Sequence, residues 1–124
     1  MSAQVVSLQR EFQMWLYSVS HGQLLLRSNR SDELTTRVDV LFKDVAAIAL
    51  PTVLDGLSVA EASVDEARDL NIQLGAQRIR DRKVYVIRGT DFVGYVVAGA
   101  LFWHEDQGHH YDESFFQKSF RVSL

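Results

Sequence analysis

Residues 11–28 read EFQMWLYSVSHGQLLLRS, in which two apolar runs flank the pair His21-Gly22. Glycine readily adopts the positive φ that a two-residue hairpin turn requires, so this pair is predicted to form the turn of a β-hairpin. In that register Ser20 faces Gln23. The aromatic residues of the first run favour a strand. An antiparallel hairpin is therefore the starting point for predicting the fold.

The first strand of this hairpin is apolar on both faces. Alternation with a period of two divides its apolar side chains between the faces: Phe12, Met14 and Leu16 on one, Trp15, Tyr17 and Val19 on the other. Such a strand is covered on both sides, or it forms the wall of a barrel with something packed outside.

Five further segments continue the strand pattern, each bounded by turn residues. They are RVDVLFK (37–43), VAAIALPT (45–52), LSVAEAS (57–63), KVYVIRG (83–89) and FVGYVVAGALFWHED (92–106). In the first of these segments the alternation is clear, and we expect Val38, Val40 and Phe42 to share one face.

Single residues mark where these segments are interrupted. Asp44 predicts a bend or bulge between two of them. Pro51 has no N–H to donate to a ladder, which places it at a strand end or on an edge strand. The pair Asp55-Gly56 is typical of a turn.

The segment 92–106 is predicted to be one long strand. Gly94 and Gly99 within it indicate bulges or close backbone approaches that let the strand bend, as barrels and curled sheets require. The tail, residues 111–124, is expected to add one more strand or to dock its phenylalanines on the core. The aromatic residues, Trp103 among them, are interpreted as core.

One segment begins as a helix. Ser63 followed by Glu66 is the capping-box pattern, and acidic residues in the first turn suit the helix dipole. Gly75 can end the element. The sequence therefore predicts one short helix near residues 64–73.

These elements add up to a mainly β protein with about seven to nine strands and one short helix. Consecutive strands are joined mostly by short turns, which indicates an antiparallel sheet closed into a barrel or folded into a sandwich. Neither a repeat nor a proline-rich linker divides the chain, so residues 1–124 are expected to form a single domain.

Composition excludes several classes of function. A net charge of −3 gives no overall attraction for nucleic acid, and the absence of cysteine removes thiolate catalysis and cysteine-ligated metals. No apolar run approaches the roughly 20 residues of a membrane span, and no secretory signal is evident. A soluble cytoplasmic protein is expected.

The stretch FWHEDQGHHYDESFF, residues 102–116, is the strongest candidate for chemistry. With Gln107-Gly108 as a two-residue turn, Asp106 pairs with His109. His104, Asp106 and His109 then lie near one another on one face, a set that zinc, iron or manganese could use. The alternative is a solvated hairpin tip held by histidine–carboxylate pairs.

A second candidate is the basic segment RIRDRK, residues 78–83. Alternation points Arg78, Arg80 and Arg82 the same way, which makes a stripe suited to a phosphate or an acidic partner. Charges that protect an edge strand explain the same pattern.

Enzymatic motifs are not recognisable. Ser18, Ser20 and His21 lack the glycine-flanked elbow of a serine hydrolase, and the glycine-containing stretches lack the lysine and helix of a phosphate loop. The protein is therefore interpreted as a non-enzyme that needs no cofactor.

The stretches YSVSHGQLLLRS (17–28) and TRVDVLFKDVAAIALPT (36–52) resemble a group of small stand-alone bacterial proteins of unknown function. The resemblance covers roughly the first half of the chain and lies in the pattern of strands and turns. It implies a bacterial β domain and assigns no functional residue.

Two hypotheses for function follow. The first is a non-enzymatic interaction domain that binds another, unidentified protein, with a homodimer formed through edge strands or through the apolar face of residues 12–19 as one arrangement. The alternative is a barrel that binds a small molecule or metal, including one that binds lipid headgroups through the arginine stripe.

Overall fold

The computed structural model describes residues 3–69, 81–109, 112–114 and 116. This part of the chain forms eight strands and one helix, in the order β1 (Ala3–Ser18), β2 (Gln23–Ser28), β3 (Arg37–Lys43), β4 (Ala47–Ala49), β5 (Val53–Glu61), α1 (Val64–Asp69), β6 (Lys83–Arg88), β7 (Val93–Ala98) and β8 (Ala100–Asp106). The predicted mainly β class and strand number are confirmed.

All eight strands belong to one antiparallel sheet with the order β4-β7-β6-β5-β1-β2-β3-β8. The strands β4 and β8 stand at the two ends of this order, so the sheet is not closed and the predicted barrel is not confirmed. Among the described residues no helix has the length and apolar character needed to cross a membrane.

The sheet curls around one apolar core. Three strands separate β3, which carries Phe42, from β6, which carries Tyr85, yet the ring centroids of these residues are 5.6 Å apart in an edge-to-face arrangement. The inner face of the curl supplies the main core, which consists of Val6, Phe12, Leu24, Leu26, Val38, Val40, Phe42, Leu54, Leu57, Val59, Tyr85, Ile87, Val96 and Ala98. The shared face predicted for Val38, Val40 and Phe42 is confirmed.

The first hairpin has a longer loop than predicted. Ser18, rather than Ser20, pairs with Gln23, which leaves residues 19–22 as a four-residue loop. Gly22 has the expected positive φ of 59°. Its carbonyl oxygen accepts a hydrogen bond of 2.9 Å from the backbone N–H of Val45. That bond ties the loop to a neighbouring segment instead of extending the ladder between β1 and β2.

A bulge in β1 changes the predicted faces of that strand. Met14 pairs with Leu26, but Leu16 pairs with Leu25, so Trp15 is an extra residue with no partner position. One inserted residue moves every following side chain to the opposite face. Leu16 therefore packs on the outer face of the sheet, and its predicted position beside Met14 is wrong.

The turn predicted at Asp55-Gly56 is wrong, because both residues lie inside β5. Leu57 pairs with Leu8 and Asp55 pairs with Glu11, so two residues of β1, Gln9 and Arg10, lie opposite the single residue Gly56. β1 thus has another bulge here, and Gly56 has a φ of 87° on the strand opposite it. Glycine suits a positive φ in a turn and at such an irregularity alike.

The segment predicted as one strand over 92–106 is two strands separated at Gly99. The backbone N–H of Gly99 donates to the carbonyls of Lys43 and Asp44, at 2.9 and 3.2 Å. A Cβ at Gly99 would lie 2.9 Å from a carboxylate oxygen of Asp44, which confirms the predicted close approach. Asp44 itself bends the chain with a φ of 55°. Here the chain leaves β7, near one end of the strand order, and enters β8 at the other.

The helix begins with the predicted capping box. The backbone N–H of Glu66 donates to Ser63 Oγ at 3.1 Å, and Ser63 N–H donates to Glu66 Oε1 at 3.2 Å. The described helix is Val64–Asp69. Its predicted extension to residue 73 lies outside the described residues.

Candidate functional site

The predicted histidine-rich hairpin is not formed as expected. β8 ends at Asp106 and pairs with β3, so that Arg37 faces Asp106 and Asp39 faces His104. Residues 107–109 and 112–114 are not in strands, and the predicted pairing of Asp106 with His109 is wrong for the described chain. The register failed because the described residues after Asp106 do not run back along β8: Arg37 binds the backbone carbonyls of His109, Asp112 and Glu113 instead.

One of the three predicted metal ligands, Asp106, has its carboxylate engaged by Arg37. His104 Nδ1 lies 3.8 Å from Asp106 Oδ2, but both carboxylate oxygens of Asp106 accept hydrogen bonds of 3.0 Å from Arg37. The backbone of His109 donates to Asp112 Oδ2. Within the described ranges no group of three histidine, cysteine, aspartate or glutamate side chains is arranged to hold a metal ion. The metal site stays a prediction with no coordinating geometry behind it.

Arg37 holds the chain that follows β8. Its side chain is only 1% exposed, and besides the fork to Asp106 it donates to the carbonyl oxygens of His109, Asp112 and Glu113, at 2.8 to 3.0 Å. A Cβ at Gly108 would lie 2.5 Å from the guanidinium, so a larger residue here would have to displace the Arg37 side chain. One buried arginine therefore fixes the path of the segment after the last strand.

The environment of Arg37 lowers the pKa of its partner, Asp106. Burial by itself raises the pKa of Asp106, but the hydrogen bond from Arg37 and the bond of 2.9 Å from the Gly108 N–H outweigh burial, and the pKa is lowered from its usual range. Asp106 is thus an ionised anchor rather than a proton donor. This assignment argues against acid/base chemistry at the segment.

Phe116, beyond the end of β8, packs on the outer face of the sheet. Phe116 is 6% exposed and packs with Leu25 and Leu41. Its ring centroid lies 6.4 Å from that of Phe102 and 6.5 Å from that of His104. The prediction that the tail docks a phenylalanine is confirmed for this residue, on an outer cluster instead of the main core.

Beside this cluster lies a buried ion pair that the sequence analysis missed. Arg27 Nε donates to Asp39 Oδ1 at 2.8 Å, Nη2 donates to Oδ2 at 3.1 Å, and both side chains are 2% exposed. The Arg27 guanidinium also lies 5.0 Å from the centroid of the Trp15 ring. The available signal was one arginine in β2 and one aspartate in β3, each with an apolar residue on its N-terminal side.

The predicted arginine stripe is only partly visible. Arg78 and Arg80 lie outside the described residues. Arg82 donates from Nη2 to Asp44 Oδ1 at 2.9 Å and from Nε to the Asp44 carbonyl at 3.1 Å. Arg82 therefore has a structural partner at the bend between β3 and β4, and the anion or partner patch stays a prediction.

An open cleft of about 350 Å³ lies beside β1 and β2. Its lining combines polar and apolar surface and carries both signs of charge, from Glu11, Gln13, Arg27, Ser28, Asn29, Arg30, Ser31 and Leu34. Asn29 lines the cleft, but its side-chain oxygen is buried and has no hydrogen-bond partner in the described part of the chain. The charged side chains of the lining could bind a small polar molecule.

Ser18 Oγ and Ser20 Oγ lie 3.2 and 2.9 Å from His21 Nδ1. These contacts are local to the loop 19–22, in which His21 is exposed. No carboxylate of the described residues contacts His21, so nothing orients the ring as a general base requires. The grouping is explained by the loop.

The edge of β8 carries the most exposed aromatic surface of the described chain. Trp103 is 46% exposed and Phe102 is 42% exposed, and their partners on β3 place Trp103 on the inner side and Phe102 on the outer side. β8 has only β3 as a strand neighbour among the described residues. The interpretation of Trp103 as core is wrong, because an edge position leaves its ring without cover on one side.

Comparisons with family models, with curated proteins and with solved structures found no match to this chain. The resemblance to small bacterial β proteins therefore stays a prediction.

Proposed function

We propose that this protein is a non-enzymatic protein-binding domain that docks its partner along the edge of β8. The observation that carries the proposal is the position of Phe102 and Trp103, two adjacent aromatic residues that are 42% and 46% exposed on a strand that ends the sheet order. A strand edge offers backbone N–H and C=O groups to an extended partner, and exposed aromatic side chains supply binding energy beside them.

The two ends of the sheet differ in a way that supports this choice. Natural sheets protect an edge with short strands, proline or charge. β4 has three residues and is followed by Pro51, so that edge is protected. β8 has seven residues and presents the uncharged run ALFW, residues 100–103. Its two charged residues, Glu105 and Asp106, are confined to one end of the strand.

The acidic end of β8 is partly neutralised within the chain. Asp106 is paired with Arg37, while Glu105 Oε2 accepts a hydrogen bond of 2.6 Å from Thr36 Oγ1 and lies 3.9 Å from Arg10 Nη1. These contacts reduce the negative charge at this end of β8, but the Glu105 side chain is 47% exposed, so a partner strand would still meet part of that charge.

The test compares two lysine substitutions of exposed residues. Trp103→Lys places a charge on the β8 edge, whereas Val93→Lys changes a residue of β7 that is 57% exposed and remote from that edge in the strand order. Each tagged variant is incubated with a lysate of the organism that makes the protein, and captured proteins are compared by mass spectrometry. We expect specific capture to be lost for Trp103→Lys and kept for Val93→Lys.

Hydrogen exchange then locates the contact. In the isolated complex, the amides of β8 should exchange more slowly than in the free protein, whereas those of β4 should not change. Capture that survives Trp103→Lys, or protection that avoids β8, would show that docking occurs elsewhere.

The cleft beside β1 supports a second candidate function, the binding of a small polar molecule. This alternative relies on the charged and polar side chains that line the cleft and not on the interior of the sheet, which the main core fills. A ligand of the native state must raise the melting temperature. In a thermal-melt screen, amino acids or small amides should raise the melting temperature, and Asn29→Leu should remove this shift. No shift with any compound would show that the cleft does not bind them.

A further inference from the structure

The edge of β8 is complementary to itself, and we propose that it pairs with the same strand of a second copy of this chain. This inference rests on the proposed use of β8 as a docking edge and names the occupant. In antiparallel pairing about Trp103, Ala100 of each copy lies opposite Asp106 of the other, and all seven residues of the strand find a partner.

The order of charges along β8 favours this direction of pairing. Glu105 and Asp106 stand at one end of the strand, and the opposite end is uncharged. Antiparallel pairing sets these acids against Leu101 and Ala100 of the second copy. A parallel arrangement would place each acid beside its own copy, and like charges directly opposite one another destabilise a sheet.

Lys43 adds a charge of the complementary sign. It pairs with Ala100 on the neighbouring strand β3, and its ammonium lies 5.8 Å from the Phe102 ring centroid. In the paired sheet, Asp106 of the second copy lies opposite Ala100, which itself pairs with Lys43. The backbone of that Asp106 is therefore two strand spacings, or about 10 Å, from the Lys43 backbone. The two-fold symmetry creates this attraction twice, and such complementarity guides pairing and register.

The exposed aromatic residues come together in the same arrangement. Trp103 of one copy faces Trp103 of the other across the two-fold axis, and Phe102 faces His104 on the opposite side of the sheet. Cross-strand aromatic pairs stabilise antiparallel sheets. The contact is isologous, so it closes as a dimer and does not extend into a fibre.

Oligomeric state provides the first test. Sedimentation equilibrium of the untagged protein over a wide concentration range should show a reversible dimer. Trp103→Lys places two ammonium groups at the axis and should raise the dissociation constant at least ~10-fold, since central aromatic residues dominate such contacts. Val93→Lys should dimerise like the native chain, and circular dichroism verifies that both variants are folded.

Cross-linking tests the register without changing Trp103. The chain contains no cysteine, so any disulfide must come from the introduced residues. Phe102→Cys mixed with His104→Cys should form a disulfide-linked heterodimer, because the two positions face each other at about 5 Å between Cα atoms. Either variant alone is offset by two residues, which leaves about 8 Å between the two Cα atoms and exceeds the span of a disulfide.

Each outcome separates this inference from the proposed function. A concentration-dependent dimer with the mixed disulfide supports self-pairing of β8. A monomer at all concentrations with no mixed disulfide overturns it, and the docking edge itself still stands if another protein is captured through Trp103. A dimer that forms equally well in Trp103→Lys also overturns it, because association then uses a different surface.

Discussion

Arg27 and Asp39, on adjacent strands, form an ion pair with two hydrogen bonds of 2.8 and 3.1 Å. Both side chains are only 2% exposed to solvent. The pair lies on the outer face of β2 and β3, where Arg27 also contacts the face of Trp15. Removing a partner leaves a buried charge without its counterion, whereas replacing both residues by apolar ones relieves that penalty.

We therefore expect Asp39→Leu alone and Arg27→Met alone each to lower the free energy of unfolding by about 3 to 5 kcal/mol. The double variant should be much less destabilised than the sum of the two single variants. Urea unfolding of all four proteins measures the cycle. Additive losses would show that the two residues act independently despite their short contacts.

Arg37→Lys should loosen the segment after β8. Lysine keeps the charge but cannot supply the planar fork to Asp106 together with three carbonyl contacts. We expect a loss of about 2 to 4 kcal/mol in unfolding free energy, since several buried acceptors lose their donor. Hydrogen exchange should also quicken at residues 107–109. Arg68→Lys, at a salt bridge in which both side chains are largely exposed, is the matched control and should change little.

Acid should weaken the link between Arg37 and Asp106. The pKa of Asp106 in the folded protein lies below the ordinary value of 3.8. A carboxyl group with a lowered folded pKa contributes its full stability above the unfolded pKa and loses that contribution as pH falls through the folded pKa. Asp106→Asn should thus be less stable than the native protein at neutral pH, and the difference should shrink below about pH 4. Unfolding curves at several pH values measure it.

A constant gap between the native protein and Asp106→Asn down to strongly acidic pH would contradict this assignment. Asp91→Asn provides the control, because Asp91 is exposed in the loop between β6 and β7. Its substitution should leave the dependence of stability on pH nearly unchanged.

Ser63→Ala should destabilise the start of the helix. It removes the hydroxyl that accepts the Glu66 N–H and leaves one half of the capping box. The expected loss is about 1 kcal/mol. Ser58→Ala, in the half-buried position of β5 where no cap is involved, serves as comparison in the same thermal melts. Equal losses in both variants would mean that the cap contributes nothing specific.

Gly94→Ala should push β4 away from β7. A Cβ at this position would overlap the carbonyl oxygen of Ala49, which is backbone and cannot rotate aside. Overpacking of this kind lowers stability by about 1 to 3 kcal/mol. Val93→Ala, at the exposed neighbouring residue, should stay within about 0.5 kcal/mol of the native protein. Denaturant unfolding compares the two variants, and a stable Gly94→Ala would show that β4 yields readily.

Local signals in the sequence predicted much of the fold. The bounds of β3 and the capping box at Ser63 follow from period and spacing alone, and the mainly β class follows from the number of such segments. The bulges at Trp15 and opposite Gly56 could not be predicted in this way, because a bulge depends on how many residues the partner strand places opposite it. The same glycine signal fits a turn or a bulge, and only the pairing of β1 with β5 decides between them.

The candidate site was harder to predict for a related reason. The histidines near the end of the chain predicted a metal site by their residue type alone. The residues that organise this region are instead Arg37, which is far away in the sequence, and Gly108, against which Arg37 packs. Trp103 looked like core because of its chemistry. Its exposure comes from the position of β8 in the strand order, which no pattern along a single strand reveals.

Arg37 donates hydrogen bonds to backbone carbonyl oxygens of His109 and Glu113, and every residue type has such an oxygen. The side chains of His109 and Glu113 can therefore be exchanged without altering the acceptors that hold their backbone, provided that Gly108 is kept. The protein thus has a loop whose course is constant and whose surface chemistry can diverge. New properties could evolve there while the sheet beneath stays as it is.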